Sequence, residues 1–179
     1  TVTSAPAVGV AGLLGRPYKT IRLEWSSDLH LLRVRTCVRP IHLDRVGSIE
    51  GIAAAKQELP ESLPASGLCV LNADDPRVAG MGSATAATVV TYAIDAPADI
   101  RALDLESAGA AGTTFTLAFE GSSARVALQL PGRHQVSNAL AAAAVALHDG
   151  FTVPEVALLL GEARDRLRLR VLPGKHGST

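Results

Sequence analysis

The spacing of apolar residues changes along the chain, and each change marks a different kind of element. In residues 48–59, Ile49, Ile52, Ala53, Lys56 and Leu59 recur at helical spacing on one stripe. Ser48 is placed to cap that helix, Glu50 falls in its first turn, and Pro60 is expected to end it. Residues 67–71 form a short, wholly apolar run that enters the polar turn Asn72-Ala73-Asp74-Asp75-Pro76. Such a run predicts a parallel strand covered on both faces, with ligands gathered beyond its end. Residues 5–12 read as another short buried strand, entering a glycine turn, whereas residues 21–36 show no clear period. The pattern then becomes β-like. Residues 88–94, 100–106, 113–120 and 124–130 alternate or are rich in β-branched side chains, with turn signals between them, which predicts an antiparallel meander appended to the sheet. Residues 136–148 predict a strong helix closed by Gly150, and a second helix runs from Pro154 to about Arg164, with Pro154 in a good first-turn position. Residues 166–172 alternate again and read as a strand. The predicted fold is α/β, a mostly parallel sheet with flanking helices plus an antiparallel β meander.

Composition narrows this picture. A chain of 179 residues suffices for one domain with a real core and is short for two. It is 47% hydrophobic with only 3% aromatic residues, so that core must be built from Ala, Val and Leu. A formal net charge of zero argues against general attraction to nucleic acid. The charge is uneven, however: residues 1–45 carry seven basic and three acidic side chains, and Arg164, Arg166, Arg168, Arg170 and Lys175 crowd the C-terminal end. Both clusters are either solvated faces or places to hold phosphates. Cys37 and Cys69 stand in no metal or redox spacing, and Cys69 lies in an apolar run that suits a small buried hydrophobe. With no secretory signal and no apolar stretch of about 20 residues, the chain is expected to be cytoplasmic, monomeric and without a membrane span.

Four constellations can carry chemistry. Lys56 lies on an otherwise apolar helix stripe, where a charged amine must snorkel, find a partner or be chemically changed; His42 and Asp44, just upstream, can supply metal-type or hydrogen-bonding ligands. Asn72, Asp74 and Asp75 stand at a strand end, where an asparagine can read an adenine edge or simply build an Asx turn. His134, Gln135 and Asn138 flank a helix start that either takes a phosphate or polar ligand or is capped by those side chains. Arg166 can fork onto a phosphate, or be a surface arginine.

Taken in order, these segments resemble the Mur ligase family of ATP-dependent amide-forming enzymes. The resemblance is carried by Pro40-Ile41-His42-Leu43-Asp44-Arg45 with Gly47-Ser48, by Ala55-Lys56, by residues 71–76, by residues 130–147 and by the terminal Gly177-Ser178-Thr179. Within the family, it is nearest to the members that add D-alanyl-D-alanine to a UDP-linked muramoyl tripeptide. It implies that His42 is a magnesium ligand and that Lys56 is carbamoylated, giving an anionic oxygen ligand suited to a hard cation. It further implies that Asn72 and Asp75 lie at the adenine position, His134 and Asn138 near the nucleotide, and Arg166 at the ATP ribose or phosphates. The implied reaction makes an acyl phosphate from a carboxylate and ATP, then an amide, with magnesium and cationic side chains offsetting charge on the transferred phosphoryl group.

The chain also departs from the family pattern. Gly12-Leu13-Leu14-Gly15-Arg16-Pro17-Tyr18-Lys19-Thr20 follows a predicted strand but lacks the spacing of a phosphate loop: Arg16 stands at the lysine position and Pro17 removes a backbone N–H. It also lies much nearer His42 than the family places it. Cys37, Arg39 and Gln135 replace residues the family usually has. Residues 1–35 are therefore expected to be a degenerate remnant of the phosphate-loop region and residues 36–179 a middle ATPase-like domain, with the C-terminal domain absent. The alternatives are a non-catalytic nucleotide-binding or interaction module, and a related amide ligase such as a folylpolyglutamate synthase.

Overall fold

The computed structural model describes residues 22–23, 32–35 and 49–163. Among these described residues, seven strands form one sheet in sequence order: β1 (Arg22–Leu23), β2 (Leu32–Arg35), β3 (Leu68–Asn72), β4 (Thr88–Ala93), β5 (Ile100–Ser107), β6 (Thr113–Phe119) and β7 (Ser122–Leu128). Strands β2 to β5 are parallel, β1 pairs antiparallel with β2, and β5 to β7 form an antiparallel meander. The α/β architecture expected from the apolar pattern is the observed one. One assignment changes: residues 88–94 do not open the meander. They form β4, inside the parallel part, because Thr88 to Tyr92 pair in register with Leu68 to Asn72.

Helix α1 (Ile49–Glu61) leads into β3, and α2 (Pro76–Gly80), continued by a 3-10 turn at Met81–Ala84, leads from β3 to β4. Pro60 lies inside α1 instead of stopping it. The proline deletes one late backbone bond, but the chain needs only one more helical residue before the Leu63 N–H bonds back to the Pro60 carbonyl. The polar turn expected at residues 72–76 runs at its end into α2. The Asp75-Pro76 pair opens that helix, with Asp75 as cap and Pro76 at the first helical position.

Both faces of β3 are covered, which is why Leu68 to Leu71 are all apolar. On one face Cys69 and Leu71 pack with Leu63, Val78, Met81 and Ala87, and Ala53 of α1 leans on that cluster. On the other, Val70, Tyr92, Ile100, Phe115, Leu117 and Val126 meet α3 (Arg133–His148) and α4 (Val153–Gly161). Cys69 is the small buried hydrophobe that its apolar run predicts. Helix α3 packs across β3, β4 and β5 and against α4, and every residue from Ala139 to Leu147 is buried. A helix hydrophobic all round must be enclosed, and the alanines let its backbone approach the sheet closely. It ends in a Schellman motif: Gly150 (φ 92°) donates to the Leu147 carbonyl and Phe151 to the Ala146 carbonyl.

Candidate nucleotide site

The parallel strands β3 and β4 end on the same side of the sheet, and the N-terminus of α3 is brought to the same place. Asn72, at the end of β3, is 7% exposed, and its Oδ1 accepts the Asp74 backbone N–H at 2.9 Å. The Asx-turn reading is therefore realised. It occupies one lone pair of the carbonyl oxygen, which has two. Asp75 is half-buried, and its Oδ1 accepts the Arg77 N–H at 3.1 Å as the cap of α2.

Asp74 faces the other way. Its two oxygens accept the backbone N–H groups of Ile94 (2.8 Å), Asp95 (2.9 Å) and Ala96 (2.9 Å) from the turn after β4. Burial pushes the Asp74 carboxyl up, but those three donors and the charge of Arg133 outweigh it, and the net shift is downward. Asp95 in turn forms an exposed ion pair with Arg133, the first residue of α3. Sequence reasoning quoted Asp74 without a role of its own; a strand end followed by two adjacent carboxylates was the available signal.

The start of α3 is set by Gly132 (φ 97°). A Cβ there would fall 2.9 Å from His134 Cε1 and 3.0 Å from its Nδ1, so the imidazole rests where only glycine leaves room. Among the described residues no side chain caps the helix, and no acidic residue stands in its first turn. The capping reading of His134, Gln135 and Asn138 is not realised: Asn138 Nδ2 donates to Gln135 Oε1 at 3.3 Å along the helix. The helix also begins at Arg133, three residues before the predicted Val136. Uncapped N–H groups at the start of a sixteen-residue helix suit a phosphate or other anion.

Of the other predicted residues, Lys56 is half-buried on α1 and not sealed in the core. His42, Asp44 and Arg166 lie outside the described residues, as do the Gly12–Thr20 loop and the strands read at residues 5–12 and 166–172. Among the described residues no group of three or more His, Cys, Asp or Glu side chains is placed to hold a metal ion. The described residues thus do not by themselves make a magnesium centre.

A strand-end asparagine tied through Asp74 and Asp95 to the first residue of a long helix, on a doubly covered parallel sheet, is the arrangement of an open α/β domain, a class that gathers ligands beyond its strand ends. Comparison with known proteins gives the family. The model of the Mur ligase middle domain matches residues 32–146, and the chain belongs to the Mur ligase family. It is 45% identical over 140 residues to the UDP-N-acetylmuramoyl-tripeptide–D-alanyl-D-alanine ligase of Mycobacterium tuberculosis, a match covering 77% of this chain and 28% of that one. It is 44% identical over 128 residues to the UDP-N-acetylmuramate–L-alanine ligase of Xylella fastidiosa, covering 70% of this chain and 26% of that one. Among solved structures, MurF from Acinetobacter baumannii superposes with a TM-score of 0.65 at 25% identity, over 72% of this chain and 28% of that one. The chain thus spans little more than a quarter of the length of these relatives. No described helix is long and apolar enough to cross a membrane.

Proposed function

We propose that this chain is the nucleotide-binding middle part of an ATP-dependent amide-forming ligase of peptidoglycan precursor synthesis. Residues 36–179 form the middle domain, and residues 1–35 are the degenerate phosphate-loop region. The observation that carries the reading is the junction of Asn72 at the end of β3 with the uncapped start of α3, held together through Asp74, Asp95 and Arg133. Asn72 and Asp75 stand on the adenine side; His134 and Asn138 stand at the helix start; Arg166 reaches the ribose or phosphates. His42 and a carbamoylated Lys56 would hold magnesium, which would supply charge neutralisation at the phosphates.

The substrates proposed are a UDP-linked muramoyl tripeptide and D-alanyl-D-alanine. In the whole enzyme the tripeptide carboxylate takes the γ-phosphoryl group of ATP, releasing ADP. The amine of D-alanyl-D-alanine then displaces phosphate to form the amide. A D-alanyl-D-alanine-adding relative at 45% identity over 77% of the chain supports this choice, beside an L-alanine-adding one at 44% over 70%. A second reading, a non-catalytic nucleotide-binding module, is favoured by Arg16 and Pro17 in place of an intact phosphate loop. The two readings share ATP binding and differ in turnover.

Thermal unfolding followed by circular dichroism, with and without millimolar MgATP, tests what they share. Ligand at about 100 times its dissociation constant adds about 2.7 kcal/mol of stability, which raises the midpoint by several degrees. A cooperative melt with no shift removes the nucleotide reading. ATP-dependent amide formation by the purified chain tests the module reading: turnover would overturn it, whereas both readings accommodate none from this chain alone.

A further inference from the structure

We propose that Asp74 is the positioning residue of the nucleotide site, tying the turn after β4 to the end of β3 and so setting Asn72 against the first turn of α3. The inference rests on the nucleotide reading above and adds to it a residue that touches neither ligand nor metal.

The need for such a residue comes from the topology. Strands β4 and β5 are parallel neighbours joined by only residues 94–99. Parallel strands ordinarily need a crossover of a dozen residues or more. The short link is achieved by stagger: only Tyr92 with Ile100 and Ala93 with Arg101 are paired, so β5 begins where β4 stops. The linking turn therefore leaves the ladder, and its N–H groups need acceptors from elsewhere. On the far side the Asp99 N–H donates to Thr91 Oγ1 at 3.0 Å, while the Asp99 carboxylate accepts the Thr91 N–H at 2.8 Å and its hydroxyl at 2.6 Å. Asp74 serves the near side with three successive N–H groups, at 2.8 to 2.9 Å.

Both ends of Asp74 are engaged. Its backbone N–H holds Asn72 Oδ1, while its carboxylate holds the turn, and the turn holds α3 through Asp95 and Arg133. One side chain thus stands between the two halves of the site. Its pKa lies below the ordinary value, so the carboxylate is ionised at neutral pH and its bonds to the three N–H donors are charge-assisted.

The test uses the full 179-residue chain with MgATP as the probe, and Asp74→Asn as the variant. Asparagine keeps the shape but turns an N–H₂ toward N–H donors. We expect a rise of about tenfold in the MgATP dissociation constant well below the melting temperature, with faster amide exchange at Ile94, Asp95, Ala96 and the first turn of α3. Glu106→Gln, which breaks the exposed pair with Arg125 on the meander, should alter neither. Should Asp74→Asn fail to fold, the exposed pair decides: Arg133→Asp should weaken MgATP binding, and adding Asp95→Arg should restore it. Unchanged MgATP affinity in a folded Asp74→Asn chain, or no rescue by the charge swap, overturns the proposal. Absence of MgATP binding by the unaltered chain overturns the functional reading itself, an outcome distinguishable because it appears before any substitution is made.

Discussion

Asp74 and Asp75 are adjacent and chemically alike, yet the fold gives them unrelated tasks, one spanning a turn twenty residues away and the other capping its own helix. That difference should be visible as pH dependence. The folded Asp74 carboxyl titrates below its ordinary value of 3.8. Its stabilisation is therefore complete above that value and is lost as the pH falls through the lower folded value. Urea titrations at neutral pH and in strong acid should show Asp74→Asn about 1 kcal/mol less stable than the unaltered chain at pH 7, with the gap closing in acid; the figure is small because the group is partly open to solvent. A gap that widens in acid would refute the clamp. Thr113 presents the opposite case. It is 2% exposed, and its buried Oγ1 has no hydrogen-bond partner among the described residues. Thr113→Val keeps the β-branched shape and removes an unpaired hydroxyl, so it should raise stability by about 1 kcal/mol. Loss of stability in the same urea titration would reveal a partner for that hydroxyl.

At the scale of elements, α3 organises the molecule. Its enclosed alanines set the distance to the sheet, and its first turn faces the site. Ala143 is fully buried, so Ala143→Leu must force the helix outward or push side chains off their rotamers. We expect a cost of about 1 to 3 kcal/mol, read as a lower midpoint in denaturant at unchanged slope. A neutral result would mean that the helix and sheet have slack between them. Helix α4 starts differently: the Glu155 carboxylate accepts both the hydroxyl and the N–H of Thr152, a capping interaction that holds its pKa below the usual glutamate value. The meander is braced on its open face by Arg125, which reaches the Asp104 carbonyl, Thr114 and Glu106 around the register shift in β5. Bulges of this kind re-aim a strand, and here the arginine ties the displaced residues together.

For the molecule as a whole, the apolar surface is divided between two cores and a small remainder. Leu158 on α4 is 68% exposed, beside the half-exposed Phe151. A side chain that gives up so little water contact on folding contributes little, so Leu158→Ser should leave the melting midpoint within about 0.5 kcal/mol of the unaltered value. A large drop in a thermal melt would mean that this face is covered in solution. The same whole-molecule view accounts for the site, because Asn72 and α3 meet only once β3, β4 and the intervening turn are assembled.

Much was legible in the sequence because it depends on local pattern. Period and turn chemistry alone indicated α1, β3, the three strands of the meander, the α3 stop at Gly150 and the burial of Cys69. The ordered motifs indicated the Mur ligase family. Features that depend on distant partners were not legible. The placement of residues 88–93 in the parallel ladder is decided by pairing with β3, since a β-branched run pairs equally well in either direction. The Asp75-Pro76 start of α2 looks like a turn until Val78 and Met81 have a core to enter. The task of Asp74 is set by three N–H groups twenty residues downstream, and no local pattern encodes such a bond. Residue type and spacing determined which groups this chain carries; the tertiary fold decided which of them face one another, because hydrogen bonds and close packing act over a few ångströms irrespective of separation along the chain.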